Sequence, residues 1–160
     1  MKNEISIGKV KEEWGWMGNM GKCKLEYEGK EYKSSEGLFI CLRFEDEEIK
    51  EELRLVDNGG MMVKCVSKRY YNEMVIKRGS NKDVENMRKV IRLKLESYNW
   101  MRKMLIESGD LFIYENVGKR RNRGNNMFWG GYFEEGEFYG NNMLGKIWME
   151  IIKNNELNKN

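Results

Sequence analysis

The stretch Ser34-Ser35-Glu36-Gly37-Leu38-Phe39-Ile40-Cys41-Leu42-Arg43-Phe44 decides how the chain is read. A serine ahead of an acidic residue and an apolar run marks a helix N-terminus. Ser34 or Ser35 can accept from the first unpaired N–H groups, and Glu36 falls where the helix dipole favours negative charge. The predicted helix covers 36–44. Seven positions separate Glu36 from Arg43, which puts both on one helix face two turns apart. Phe39 belongs to the core side.

Upstream, Lys24-Leu25-Glu26-Tyr27 and Lys30-Glu31-Tyr32 flank Glu28-Gly29, a hairpin signal, and residues 4–9 alternate as an edge strand. Downstream, the acidic stretch 45–52 continues into a helix with Ile49, Leu53 and Val56 on one face, broken at Asn58-Gly59-Gly60. Residues 61–69 read as a helix that groups Met62, Cys65 and Val66. The clearest helix is 82–98, with Val84, Met87, Ile91 and Leu95 in one stripe, Val90 and Leu93 beside them, and Asp83 supporting its start. Asn99 caps a helix over 100–108 that Gly109 ends. Leu111-Phe112-Ile113-Tyr114 reads as a buried strand, 116–142 as a long loop, and Asn142 as the cap of a last helix containing Leu144, Ile147, Trp148, Ile151 and Ile152. The fold class is α+β, mostly helical with a small sheet, in a single domain over 1–153 with a solvated tail at 154–160.

Composition narrows the chemistry. With no histidine among the 160 residues, Ser-His and Cys-His nucleophile pairs and the common zinc sites are excluded, and acid–base work falls to Glu, Asp, Lys, Tyr or Cys. No metal or cofactor is called for. Cys23, Cys41 and Cys65 show no CxxC spacing and read as buried thiols in a reducing compartment. The methionines, Met61, Met62 and Met104 among them, read as core filling. A net charge of +3 is too small to mark a dedicated nucleic-acid binder. No apolar run approaches the ~20 residues that span a bilayer, and Met1-Lys2-Asn3-Glu4 opens no signal-peptide core, so a cytoplasmic protein with no membrane partner is expected. Ala, Thr, Pro, His and Gln are all missing. Every codon for these five has cytosine at its first or second position, a bias expected of a virus, phage or other AT-rich element, in which case the compartment is the host cytoplasm.

A second group of motifs lies ninety residues on: Asn126-Met127-Phe128-Trp129-Gly130, then Gly140-Asn141-Asn142-Met143-Leu144-Gly145. Between the two groups stand Met87-Arg88-Lys89, Lys94-Leu95 and Leu111-Phe112-Ile113-Tyr114-Glu115. In this order and spacing, over roughly 14–153, the chain resembles the NADAR (YbiA-like) family. That resemblance implies a pocket for a ribose-bearing nucleotide and a family activity of N-glycosidase type, cleaving ribose C1′–N bonds in riboflavin-pathway intermediates or ADP-ribosylated guanine. The family motif Ser-Glu-His-x-x-x-x-x-Lys-Phe places its Glu on Glu36, its His on Gly37 and its Lys on Arg43. Its Asp falls on Asn126, its Trp on Trp129, its later Asn on Asn142 and an upstream Asn on Asn19.

The resemblance implies that the Lys and Asp are catalytic, the Lys through a Schiff base with the sugar. Arginine stays protonated and is no such nucleophile, although it suits phosphate. Asn126 can hydrogen-bond but exchanges no proton. Codon bias did not force either change. The leading expectation is therefore binding of an ADP-ribose-type nucleotide without turnover, as in sequestration of an NAD-derived immune signal by a phage. Glu36 and Asn126 would hold ribose hydroxyls and Trp129 would stack on the base, with Gly130 allowing close backbone approach. Asn19 and Asn142 add contacts, and Arg43 or the run Lys119, Arg120, Arg121 and Arg123 would take phosphates. That run also suits a nucleic-acid backbone, a partner the small net charge disfavours. The alternative is an N-glycosidase in which Glu36 is the acid/base and water replaces the lysine. Oligomeric state is left open by the sequence.

Overall fold

The computed structural model describes residues 3–57, 59–154 and 156–158. Met1, Lys2, Asn155, Lys159, Asn160 and the helix-breaking Asn58 lie outside the described residues. In chain order the elements are β1 (Glu4–Ile7), β2 (Leu25–Tyr27), β3 (Lys30–Tyr32), α1 (Ser35–Cys41), α2 (Glu47–Arg54), α3 (Gly60–Ser67) and α4 (Asn81–Ser97). They continue with α5 (Asn99–Ser108), β4 (Phe112–Glu115), α6 (Asn126–Trp129), β5 (Tyr132–Glu134), β6 (Glu137–Tyr139) and α7 (Met143–Lys153). The mixed, mostly helical α+β class read from the sequence is the class observed. No helix among the described residues is long and apolar enough to cross a membrane.

Two compact units form, one from Asn19–Ser97 and one from Met1–Gly18 with Tyr98–Asn160. In the first, β2 and β3 make an antiparallel hairpin whose two turn residues, Glu28 and Gly29, both have positive φ (50° and 78°), a combination matched to the strand twist. Ser34 caps α1 by accepting from Gly37 N at 3.0 Å, and Asp46 caps α2 by accepting from Glu48 N and Ile49 N. All seven residues of α1 are buried, because α2, α3 and α4 pack around it. On α4 the buried stripe contains Val84, Met87, Val90, Ile91 and Leu95, as the periodicity predicts. Leu93 is only half-buried, and Lys94 takes an interior position beside Leu95.

On α3 the buried residues are Gly60, Val63 and Ser67, not Met62, Cys65 and Val66. The reason is Gly60, which presses its bare Cα against the start of α1 and so turns the next residues on its face inward. Met61, Met62 and Cys65 are consequently exposed, contrary to their reading as core, and Cys23 is half-buried; Cys41 alone of the three thiols is fully buried.

In the second unit β1 and β4 pair in parallel, from Glu4 opposite Phe112 to Ile7 opposite Glu115. Helix α7 packs on β4 and buries Leu144, Ile147, Trp148 and Ile151. Trp148 is fully buried and donates its indole N–H to Met17 O at 3.2 Å, so its one polar atom is satisfied in the core. The stretch 116–142 is not the open loop expected: it contains α6 and a second hairpin, β5–β6, turned by Glu135 and Gly136, again both at positive φ. Phe133 and Phe138 of that hairpin meet Phe112 and Tyr114 of β4 edge to face. Of the tail read as solvated, Glu156–Asn158 forms a single 3-10 turn with Leu157 buried.

Candidate functional site around Glu36

The geometry begins with a clamp of three backbone segments. Glu36 N, at the first turn of α1, donates to Asn19 O at 3.1 Å, and Gly60 N, at the start of α3, donates to Met20 O at 2.9 Å. Residues 19–20 are thereby held between two helix N-termini. A β-carbon on Gly60 would sit 2.6 Å from Glu36 Cβ and 3.0 Å from Asn19 O, so only glycine permits this approach. Gly37, where the related motif has histidine, packs against Ser34 and Val63.

Two acceptors in the clamp lack partners. The Glu36 side chain is 8% exposed, and no hydrogen bond or ion pair engages its carboxyl among the described residues. Asn19 is 7% exposed; its Nδ2 lies 3.4 Å from Met87 Sδ, while its Oδ1 is buried with nothing donating to it. Burial raises the Glu36 carboxyl above its usual range. Arg43 and Lys64 oppose the shift, Asp83 reinforces it, and Arg78 opposes it more weakly. A carboxyl so placed holds its proton further toward neutral pH and can give it up to a reacting atom.

Arg43 does not stand free beside Glu36. Its Nε and Nη2 donate to Asp83 Oδ1 and Oδ2 at 2.8 and 2.9 Å, and its guanidinium lies 4.4 Å from the centre of the Phe39 ring. Asp83 is fully buried and also accepts from Gly79 N at 2.9 Å. Two of the five guanidinium donors are committed to this pair. Lys94, 2% exposed, donates to Ser35 Oγ at 3.4 Å beneath the first turn of α1, and burial lowers its pKa to about 8. From the sequence, Asp83 reads only as a helix-dipole residue and Lys94 carries no role of its own. The position of Lys94 seven residues after Met87 and three after Ile91, on the apolar stripe, is the available signal.

The remaining predicted residues belong to the other unit. Asn126 opens α6, and its Nδ2 donates to Arg120 O at 2.7 Å, tying down the basic run. Trp129 ends α6, half-buried, with its ring edge-on to Phe128 at 5.0 Å. Gly130 is needed by the protein's own backbone, since a β-carbon there would strike Glu115 O. Gly130 O accepts from Asn142 N at 3.1 Å, which brings these two predicted residues together. Asn142 does not cap α7 with its side chain. It adopts the left-handed conformation (φ 51°), and its amide bridges the β4 backbone, donating to Ile113 O at 2.9 Å and accepting from Glu115 N at 3.3 Å. With both ends of that amide engaged and the residue 2% exposed, its place is structural. Lys119, Arg120, Arg121 and Arg123 are exposed, and Arg121 lies over Tyr132 at 4.6 Å.

Against known proteins, the chain is 26% identical over 147 residues to the N-glycosidase YbiA of Escherichia coli (strain K12), spanning 92% of this chain and 85% of that protein. It is equally similar to the N-glycosidase YbiA of Shigella boydii. The NMR structure of the E. coli protein YbiA matches with a TM-score of 0.75 at 23% identity, covering all of this chain and 91% of that one, which establishes a common fold. No family model matches the chain.

Proposed function

We propose that this chain, a homologue of the YbiA N-glycosidases with the same fold, is itself an N-glycosidase that takes an N-ribosyl nucleotide at the Asn19–Glu36 clamp. The observation that carries this reading is the buried, unpartnered Glu36 carboxyl with its raised pKa. Cleavage of a ribose C1′–N bond needs an acid that protonates the departing nitrogen and a base that later activates water. Glu36 can do both in turn. Its proton goes to the nitrogen as the C1′–N bond breaks; water then adds to C1′ and returns a proton to the carboxylate. Asn19 Oδ1 accepts from a ribose hydroxyl, which removes its unsatisfied state and fixes the sugar.

A second reading, retention of an ADP-ribose-type nucleotide without turnover, is favoured by one specific observation. At the position of the related motif's lysine, Arg43 is locked to Asp83, so no amine stands there to trap the sugar carbon. One experiment separates the two. The purified protein is incubated with ADP-ribose derivatives and with ribosylamine intermediates, denatured, and the small molecules are resolved by chromatography. Free base with the matching sugar product, ADP-ribose from the ADP-ribose derivatives or ribose phosphate from the ribosylamines, lost in Glu36→Gln, supports cleavage; intact nucleotide recovered in stoichiometric amount supports retention.

A further inference from the structure

Four of the five residues Lys119-Arg120-Arg121-Asn122-Arg123 are cationic, a concentration that the chain's net charge of +3 does not reveal. Successive backbone turns hold the run in shape. Arg120 N donates to Val117 O at 2.7 Å, Arg121 N to Gly118 O at 3.3 Å, Arg123 N to Arg120 O at 3.0 Å and Asn126 N to Arg123 O at 3.1 Å. The Asn126 side chain adds its bond to Arg120 O. All four cations are exposed, and among the described residues none of them forms an ion pair. Like charges this close repel one another, a cost that an anionic chain laid across them removes. The neighbouring hairpin supplies rings. Phe133 and Phe138 meet β4, so alternation puts Tyr132 and Tyr139 on the opposite face. The two tyrosine rings stack 5.6 Å apart with 24° between their planes, and the Arg121 guanidinium lies 4.6 Å from the centre of the Tyr132 ring. Tyr139 is still 43% exposed. Glu134 and Glu137 oppose each other on that same face, two residues or about 7 Å nearer the turn. A single nucleic-acid strand complements both features, with phosphates for the cations and flat bases for the rings. A duplex keeps its base faces stacked inside, and an anionic membrane has none.

We propose that the basic run and the Tyr132–Tyr139 pair form a binding surface for single-stranded nucleic acid. Phosphates lie along residues 119–123, a base stacks on the open Tyr139 ring, and Glu134 and Glu137 turn the strand away from the hairpin tip. All of these residues belong to the compact unit that contains β4, and the surface stands independently of the Glu36 reading.

Fluorescence anisotropy with labelled oligothymidylate and oligouridylate tests it on the wild type, Tyr139→Leu, Tyr139→Phe, Glu36→Gln and a variant with residues 119, 120, 121 and 123 all changed to Gln. The wild type should bind with a Kd of about 1–100 μM at physiological salt. Four phosphate contacts give log K a slope of about −3 against log salt, and the four-Gln variant should lose both the binding and the slope. Tyr139→Leu should weaken binding about tenfold and Tyr139→Phe should leave it unchanged, because the ring and not the hydroxyl is used. Glu36→Gln should bind as the wild type does, and the oligonucleotide bound more tightly tells DNA from RNA. Circular dichroism checks the fold of each variant. No binding below about 100 μM, unchanged affinity in the four-Gln variant or in Tyr139→Leu, or tighter association with phosphatidylserine vesicles than with either oligonucleotide overturns the proposal. Cleavage of N-ribosyl nucleotides without strand binding sinks this surface and leaves the N-glycosidase reading standing; strand binding without cleavage does the reverse.

Discussion

At Glu36 a carboxyl is buried without a partner, and its protonation is tied to stability. Its folded pKa is raised above the ordinary 4.5, so between 4.5 and the raised value the folded chain binds more protons than the unfolded one. Stability must therefore fall as pH rises through that window. Melting temperature measured against pH should decline above about 4.5 in the wild type and less steeply in Glu36→Gln, which carries no charge to desolvate; parallel curves would refute the assignment. If Glu36 is the general acid, kcat/KM should fall over the same window as the carboxyl of the free protein loses its proton. Asp83 illustrates the opposite case, a buried charge that is fully met. Asp83→Ala leaves Arg43 buried and unpaired, and urea denaturation should show a loss of about 3–5 kcal/mol.

Among the elements, α3 positions the site through one residue. Gly60→Ala would push a methyl into Glu36 Cβ and the backbone of residues 19–20, none of which is the far end of a flexible side chain. A stability loss of about 1–3 kcal/mol is expected from this overpacking, together with loss of nucleotide cleavage or retention in protein that circular dichroism shows to be folded. Unchanged cleavage or retention in Gly60→Ala would show that the clamp does not set the site. Some elements are legible in advance. Glu-Gly between alternating residues announces the β2–β3 hairpin, and the same dipeptide in Tyr132-Phe133-Glu134-Glu135-Gly136-Glu137-Phe138-Tyr139 announces β5–β6 equally well. There the surrounding Gly and Asn mask the alternation, and the stretch reads as loop. The face of α3 is illegible from periodicity, because Gly60, with no side chain, decides it by close approach rather than by hydrophobicity.

On the scale of the whole molecule, the α+β class and the place of Glu36 at a helix N-terminus follow from local rules of capping and spacing. The partners of buried polar groups do not. Asp83 finds Arg43 forty residues away, and Asn142 finds the β4 backbone nearly thirty residues away; no local pattern encodes such distances. The two compact units differ in another respect that bears on experiment. Asn19–Ser97 is continuous in sequence and has its own buried helix, α1, so a fragment of residues 19–97 is expected to retain helical circular dichroism and a cooperative melt. A featureless, non-cooperative spectrum would contradict that independence. The other unit closes through the parallel pairing of β1 with β4, from Glu4 to Phe112. A ribosome adds about 5–20 residues per second, so the emerging β1 waits about 5–20 seconds for the strand that will flank it. During that interval Ile5 and Ile7, which end fully buried, have no partner strand, and a nascent chain stalled before β4 should offer this first strand to chaperones and proteases that the finished protein excludes.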